Sequence, residues 1–288
     1  MPYQGFTPGG VTRIETYGFA NFNSLQTTVR RQVSRGVFLQ AAYTWSKTMT
    51  TVTGGDGLNG VFSGGSGNSN DPNNRYARYG LAAYDRTNRL VIAYTWQIPG
   101  WQHGGAFTRE ATAGWKFSGV STFQSGKPLT FTDANNGTAY GTASRAQFLP
   151  GKGNGDVLNR SGGSMLTRVK NNTFLNPSAS VFVTAPAVPF SAPASPTSTI
   201  LPRDYGNSGI GVARGPGNDN WDMTLAKDTK VGGLREDATL SFRTEFFNVW
   251  NHAQYANPST GAQTASYGVI NASAVAPRLI QFALKYAF

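Results

Sequence analysis

The chain has 288 residues with 35 glycines and no cysteine, and its 25 basic and 14 acidic side chains give a formal net charge of +11. This composition excludes a disulfide scaffold and a Cys/His zinc site. A helical membrane span is excluded as well, because no stretch of eighteen apolar residues occurs. The basic residues are spread along the chain without a dense run or a known motif, so we expect no nucleic acid among the partners.

Residues 1–20 are expected to form a leading loop. This segment begins MPYQGFTPGG, without a basic start, an apolar core or a small-residue cleavage site, so no signal peptide is expected here. Residues 11–20 offer one further strand beyond the seven described next.

Seven segments alternate apolar and polar residues with the period of two that indicates a β-strand. In the second of them, Leu39, Tyr43 and Trp45 share one face, while Gln40 and Thr44 share the other. We expect the apolar rows to contact lipid and the polar rows to face an interior. The predicted strands lie near residues 24–33, 37–46, 87–98, 114–125, 220–230, 238–250 and 278–288.

The connections between these strands alternate in length. The short or moderate ones span 34–36, 99–113 and 231–237, and the long polar ones span 47–86, 126–219 and 251–277. Outer-membrane barrels combine short periplasmic turns with long extracellular loops in this way. The sequence therefore predicts an all-β fold, an antiparallel up-and-down transmembrane β-barrel. It would be a partial barrel of about 7–8 strands with long extracellular loops, located in the bacterial outer membrane.

The positions of the tryptophans and of the charged residues also agree with strands that span a membrane. Amphipathic rings prefer the headgroup level of a bilayer, and five tryptophans fall on the apolar rows near strand ends. We predict that they form an aromatic girdle: Trp45, Trp96, Trp115, Trp221 and Trp250. The cationic exceptions on these rows, Arg31, Lys227 and Arg278, lie within a few residues of a strand end, where their cost in lipid is low.

The polar rows supply candidates for a lumenal site. Arg243 and Glu245 share one face, and they could contact a plug or a ligand or simply belong to a lumenal charge ladder; Asp222 is treated in the same way. Asp222 and Asp228 are too far apart, at about 20 Å, to act as a glycosidase pair. No nucleophile elbow or metal set appears, and His103 and His252 are interpreted as surface histidines. We therefore expect no enzymatic activity, no cofactor and no bound metal.

Two long loops leave alternatives open. The Gly/Asn-rich stretch around Asp56 and Asp71 lacks the ordered spacing of a calcium site and is interpreted as an extracellular loop. The segment 126–219 has Pro- and Ala/Ser-rich parts with scattered aromatic residues: Phe148, Phe174, Phe182 and Phe190. It could capture a ligand or contact lipopolysaccharide through its basic residues, or it could be a covering lid without selectivity.

The last strand alternates to the end of the chain. An aromatic carboxy-terminal residue on such a strand is where the barrel-assembly machinery recognises its clients. We predict that this assembly signal consists of Phe282, Leu284, Tyr286 and Phe288. The assembly machinery, outer-membrane lipid and lipopolysaccharide are accordingly the expected partners.

Several stretches, in this order, resemble the carboxy-terminal part of TonB-dependent outer-membrane receptors, specifically the Oar-like group. They read NFNSLQTTVRRQVSRGVFLQAAYTWSK, YDRTNRLVIAYTWQIP, GWKFSGVSTFQSGKPLTF, GPGNDNWDMTLAK, LSFRTEFFNVWNHAQYANP and RLIQFALKYAF. The resemblance implies a plugged 22-stranded barrel that couples uptake of large or scarce ligands to the TonB complex. Oar-like members often begin with a carboxypeptidase-regulatory-like domain.

The chain departs from this plan, because we find no plug, no TonB box, no signal peptide and too few strands. We therefore interpret residues 1–288 as the carboxy-terminal portion of one receptor barrel, which would reach the TonB complex only through a missing amino-terminal part. Two other functions remain open from the sequence. One is a soluble secreted all-β domain of adhesin type, and the other is a small standalone porin-like barrel.

Overall fold

The structure is a computed structural model of the whole chain. It describes residues 18–33, 36–51, 70–71, 74–101, 103–134, 136, 144–183, 205–231 and 238–287. The predicted eighth strand and the leading loop lie almost entirely outside this part of the chain. Phe288 and Phe190 lie outside it as well.

One antiparallel sheet contains most of the residues that lie in helices or strands. Its seven long strands follow one another in chain order, each hydrogen-bonded to the next, with a two-residue strand, β3 (Gly80–Leu81), paired to the end of β2. The long strands are β1 (Ala20–Val33), β2 (Val37–Thr50), β4 (Asn88–Gln97), β5 (Trp115–Gln124), β10 (Asn218–Lys230), β11 (Thr239–Phe247) and β12 (Leu279–Ala287). The predicted antiparallel, up-and-down all-β fold is confirmed. Each strand predicted from the alternation overlaps one of these seven.

The register places all the apolar rows on the same face of the sheet. Directly opposite residues of neighbouring strands share a face, and Leu25 pairs with Trp45, whose strand neighbour Tyr43 pairs with Leu90. The same face continues to the last strand, where Phe242 lies opposite Leu284. The alternate residues form a second face that is mainly polar. The pairing of the strands thus preserves the alternation that the sequence carries.

The strands also sort their connections by length. The ends of β1, β4 and β10 lead into the shorter connections, and we call this edge the short-turn end. The ends of β2, β5 and β11 lead into the long connections, which defines the long-loop end. Gly36, with a φ of 76°, makes the tight turn into β2, a conformation that glycine adopts without a steric penalty.

The connection of moderate length between β4 and β5, residues 98–114, contains the short helix α1 (Ala106–Thr112), which was not predicted. The sixth strand is also shorter than predicted. It ends at Phe247 rather than near Trp250, and Asn248 and Asn251 adopt left-handed conformations there with φ values of 49° and 51°. Asparagine tolerates this conformation, and it turns the backbone out of the sheet.

The described parts of the second and third long connections, after β5 and β11, fold into a compact unit, which we call the cap. It comprises residues 126–134, 144–183, 205–217 and 251–277 within the described chain. Its regular elements are small: β6 (Pro128–Leu129), β7 (Thr132–Asp133), β8 (Ser144–Arg145), a 3₁₀ turn (Asn154–Asp156), α2 (Met165–Lys170), α3 (Ser178–Val181) and β9 (Ala213–Arg214). The segments expected to be polar loops are therefore ordered against each other.

The main buried apolar cluster of the described chain lies in this cap. It contains Phe131, Phe148, Phe174 and Phe182 together with Ile270 from the last long connection. Phe182 stacks on Phe148 with ring centroids 5.2 Å apart and also packs against Phe131 at 5.3 Å. Three of the aromatic residues noted in the sequence of 126–219 thus anchor a core. Among the described residues, no helix is long and apolar enough to cross a membrane.

Candidate functional site

The large apolar side chains on the apolar face are exposed or half-buried in every long strand, and only small residues such as Ser121 are buried between them. The exposed fraction is 59% at Leu25 in the first strand and 71% at both Phe282 and Leu284 in the last. A soluble β-sandwich would bury such rows between two packed sheets, whereas here the buried cluster lies in the cap. This face is therefore suited to contact hydrocarbon rather than water.

The predicted girdle tryptophans lie at two levels of this face. Trp45, Trp221 and Trp250 are at the long-loop end, and Trp96 and Trp115 are at the short-turn end. Trp96 lies opposite Val37, eight residues before Trp45 on β2, which corresponds to about 26 Å along the strand. With a barrel-like strand tilt, this is comparable with an apolar band about 25 Å tall. Their role as an aromatic girdle stays a prediction.

Lys227, one of the cationic exceptions on the apolar face, has its charge satisfied there by the end of a helix. Its Nζ donates to the carbonyl oxygens of Glu110, Ala111 and Ala113 at 2.6, 3.2 and 2.6 Å. These carbonyls lie at the carboxyl end of α1, where a cation is stabilised by the helix dipole. The ammonium also lies 5.4 Å from the centroid of the Trp115 ring. Helix α1 thus provides the polar partners that a cation at the short-turn end needs.

The predicted lumenal residues Asp222, Arg243 and Glu245 all lie on the polar face, but they do not form one cluster. Arg243 and Glu245 form an ion pair, and Gln281 of the neighbouring strand donates to Glu245. Asp222 instead accepts hydrogen bonds of 2.9 Å from the Asn248 backbone and from the Asn220 side chain. Asp222 therefore fixes the end of β11. A ligand-binding role for the three residues stays a prediction.

The predicted assembly residues occupy the last strand of the sheet. Phe282, Leu284 and Tyr286 share the apolar face of β12, opposite Thr244, Phe242 and Leu240 respectively. Within the described residues, the other edge of β12 has no strand beside it. Phe288, the fourth predicted residue, lies outside the described chain. Recognition by the barrel-assembly machinery stays a prediction.

A buried ion pair joins the cap to the first long connection. Arg214 of β9 donates to the Asp85 carboxylate at 2.5 Å, and the Asp85 side chain is fully buried. The second Asp85 oxygen accepts from the Thr48 backbone at 2.7 Å. Neighbouring Arg86 is also partly buried, and desolvation together with the charge of Arg214 lowers its pKa, which Asp85 partly offsets. We call the Asp85–Arg214 pair the latch; no local spacing predicts it, since the partners are 129 residues apart.

A cavity of about 590 Å³ lies where the apolar face meets the cap. Strand β10 contributes Asp219 and Trp221, and the turn after β11 contributes Trp250 and His252. The cap contributes Met165 and Leu166 of α2, and the lining is completed by Asn251, Ala253 and Tyr255. This site is absent from the sequence-based candidates, although the run from Trp250 to Tyr255 contains its aromatic and polar side chains within six residues.

The polar groups of this cavity are connected to each other. His252 Nδ1 lies 3.0 Å from Asp219 Oδ1, and the Gln254 side chain donates to the same oxygen at 3.0 Å. His252 is exposed, as expected for a surface histidine, but it is not isolated. His103 is exposed in the connection before α1, at the other end of the sheet. Across the described residues, no three His, Asp or Glu side chains are grouped so that they could hold a metal ion.

The model of a family described as "Outer membrane beta barrel domain" matches residues 1–281, nearly the whole chain. The comparisons with curated proteins and with solved structures found no match.

Proposed function

The chain belongs to the outer membrane β-barrel domain family and resides in the bacterial outer membrane, and from this premise we propose that it is the carboxy-terminal part of a TonB-dependent receptor of the Oar-like group. In this role it takes part in the uptake or surface binding of a large or scarce ligand. It acts only within the intact receptor, whose amino-terminal part supplies the plug and the contact with the TonB complex.

The observation that carries this proposal is the open sheet. Strand β1 pairs with β2 and β12 pairs with β11, and neither has a second long strand beside it among the described residues. Since a transmembrane barrel must leave no unpaired backbone groups in lipid, both edges need further strands. A larger barrel of the kind found in plugged transporters would supply them.

The cap supports the uptake part of the proposal. Loops carried by a rigid scaffold commonly hold the binding residues of a protein, and this cap is ordered by its own apolar core at the long-loop end. The latch fixes it to the sheet through Asp85, whose other partner is the backbone of β2. A receptor would present such a preformed surface to a ligand that is too scarce for passive diffusion.

The proposal is tested by energised uptake in cells that express the receptor containing this chain. The probes are fluorescein-labelled oligopeptides and oligosaccharides that are too large for general porins. We expect at least one probe to accumulate only when the receptor gene and TonB are both present, and to stop accumulating after a protonophore is added. Equal accumulation of every probe in cells without TonB would overturn the proposal.

A standalone porin is the second candidate, and it makes a different prediction. The isolated chain would then close on itself and conduct ions in a planar bilayer, independently of TonB. The strand directions argue against this closure, because six successive antiparallel pairings leave β1 and β12 running in the same direction. Pairing β1 with β12 would give a parallel pair, whereas such barrels are antiparallel throughout.

A further inference from the structure

We propose that the cavity formed by β10, the turn after β11 and helix α2 binds the saccharide headgroup of a glycolipid in the outer leaflet. The inference rests on the proposed function only in placing the long-loop end at the cell surface. The cavity volume of about 590 Å³ falls within the range of about 300–1,000 Å³ that is usual for small-molecule sites.

The apolar side of the cavity is suited to a sugar ring. Trp221 and Trp250 pack edge to face with centroids 6.5 Å apart, which holds their rings at an angle to each other. The Trp250 side chain is 65% exposed although it belongs to the largest aromatic type. A flat ring that is both apolar and exposed offers a stacking surface to the C–H faces of a saccharide. Leu166 of α2, which is 57% exposed, adds a further apolar side chain to the lining.

The polar side of the cavity selects hydroxyl groups rather than phosphate. The Asp219 carboxylate accepts hydrogen bonds only, and it would repel a phosphate placed directly against it. Asn251 and His252 add groups that can donate or accept, and all three line the same cavity. A few convergent polar groups beside aromatic side chains are the usual composition of a specific small-molecule site.

The position of the cavity decides between a lipid-linked and a free sugar. Asp219 and Trp221 lie on the apolar face of β10, in the same row as Met223 and Leu225, whereas Asp222 lies on the polar face. The cavity therefore opens toward the lipid at the level of the tryptophans of the long-loop end. Acyl chains attached to a bound sugar would run along this face. Helix α2 also carries the exposed Lys170 in its last turn, which can pair with phosphates on neighbouring sugars.

The test uses the intact receptor that contains this chain, purified in a non-ionic detergent and titrated with fluorescently labelled lipopolysaccharide that contains lipid A and the inner core. We expect Trp250→Ala to weaken binding about tenfold, as is common for a central aromatic contact. Trp101→Ala is the matched control, since Trp101 is 64% exposed and lies in the connection at the short-turn end. This control should bind like the unaltered protein. Leu166→Ala, a change at an exposed position, should weaken binding as well, and it serves if Trp250→Ala fails to fold.

Competition separates the alternatives. Unlabelled lipopolysaccharide should displace the label, while phosphatidylglycerol and the free inner-core saccharide should displace it at least tenfold less well. Equal displacement by phosphatidylglycerol would show that the cavity binds lipids without regard to the sugar. Equal displacement by the free saccharide would show that the attached lipid does not contribute to binding. Either result overturns the proposal. Unchanged binding in both cavity variants would do so too. TonB-dependent uptake by the Trp250→Ala receptor is measured in parallel, so a failure of this proposal is distinguishable from a failure of the receptor function.

Discussion

Tyr267 is a single residue whose burial gives the cap a dependence on alkaline pH. Its ring packs against Phe131 and Phe182, and burial raises its pKa above the usual value for tyrosine. In the unfolded chain a tyrosine ionises near pH 10, whereas the folded cap keeps the proton to higher pH. The folded state therefore binds more protons above that pH. The stability of the cap should be unaffected by this group below about pH 10 and should fall as the pH rises further.

We predict that Tyr267→Phe removes this alkaline loss. Its hydroxyl has no hydrogen-bond partner in the part of the chain that the structure describes, so deleting it should leave stability at pH 7 unchanged or slightly higher. Urea unfolding followed by near-ultraviolet circular dichroism at pH 8 and pH 10.5 measures both effects. Tyr84→Phe, at an exposed tyrosine, should keep the alkaline loss. An equal loss in the Tyr267→Phe protein would show that another group is responsible.

The latch makes a second prediction at this scale. Arg214→Met should destabilise the cap by about 3–5 kcal/mol, because it leaves the fully buried Asp85 carboxylate without its cation. Lys152→Met is the matched control, since Lys152 pairs with Asp156 on the surface of the same cap at 3.2 Å. An exposed pair of this kind contributes about 0–1 kcal/mol. Similar midpoints of urea unfolding for the two variants would contradict the role assigned to the latch.

The strands and the cap differ in how far the sequence predicts them. A strand follows from local alternation alone, and its pairing with a chain neighbour requires only a turn, so rows such as those of Leu39 and Ile92 could be assigned before the structure. The cap core brings Phe131, Phe182 and Ile270 together from distant segments without any period. The small elements there are too short to leave a pattern, and the cavity and the latch depend on their tertiary placement. For this reason the sequence indicated the aromatic residues of 126–219 but not the fold that they stabilise.

The two faces of a central strand make a sharp prediction at the element scale. Ile92 of β4 lies on the apolar face opposite Ala41 and Ser121, and the next residue, Ala93, lies on the polar face opposite Gln40 and Val120. Ile92→Arg should cost about 2–4 kcal/mol in a membrane, since it places a cation near the bilayer midplane. Ala93→Arg should be tolerated better. The yield of folded, heat-modifiable protein in the outer membrane compares them, and a larger loss for Ala93→Arg would reverse the assignment of the faces.

The last strand carries the predicted assembly signal, which is tested in the intact receptor. Deleting Phe288 should lower the amount of receptor in the outer membrane, because the terminal aromatic residue is the expected contact with the assembly machinery. Phe107→Ala is the control, because Phe107 is an exposed aromatic residue of α1 far from the terminus. That substitution should leave the amount unchanged. A normal level of heat-modifiable receptor in the variant without Phe288 would show that Phe288 is not needed as an assembly signal.

At the scale of the whole molecule, the direction of the outer strands decides what can close the sheet. Strands β1 and β12 occupy the two ends of seven antiparallel strands and run in the same direction. An antiparallel closure therefore needs an odd number of further strands between them, whichever polypeptide supplies them. Joining two copies of the sheet edge to edge, β12 of one to β1 of the other, meets the same obstacle. A carboxy-terminal part of a larger barrel satisfies this requirement when the preceding strands are odd in number.

Cross-linking tests this closure, and residues 1–288 contribute no native cysteine that would compete. Val29→Cys combined with Ala41→Cys is the positive control, because these residues are directly opposite on β1 and β2, within the range for a disulfide or a short cross-linker. Val29→Cys combined in turn with Cys at Ile280, Phe282 and Leu284 covers several registers between β1 and β12. In the intact receptor we expect the control pair to cross-link and the three edge pairs to remain free, since other strands separate them. Efficient cross-linking of any edge pair would mean that the seven strands close on themselves, and the larger barrel would then be the wrong assembly.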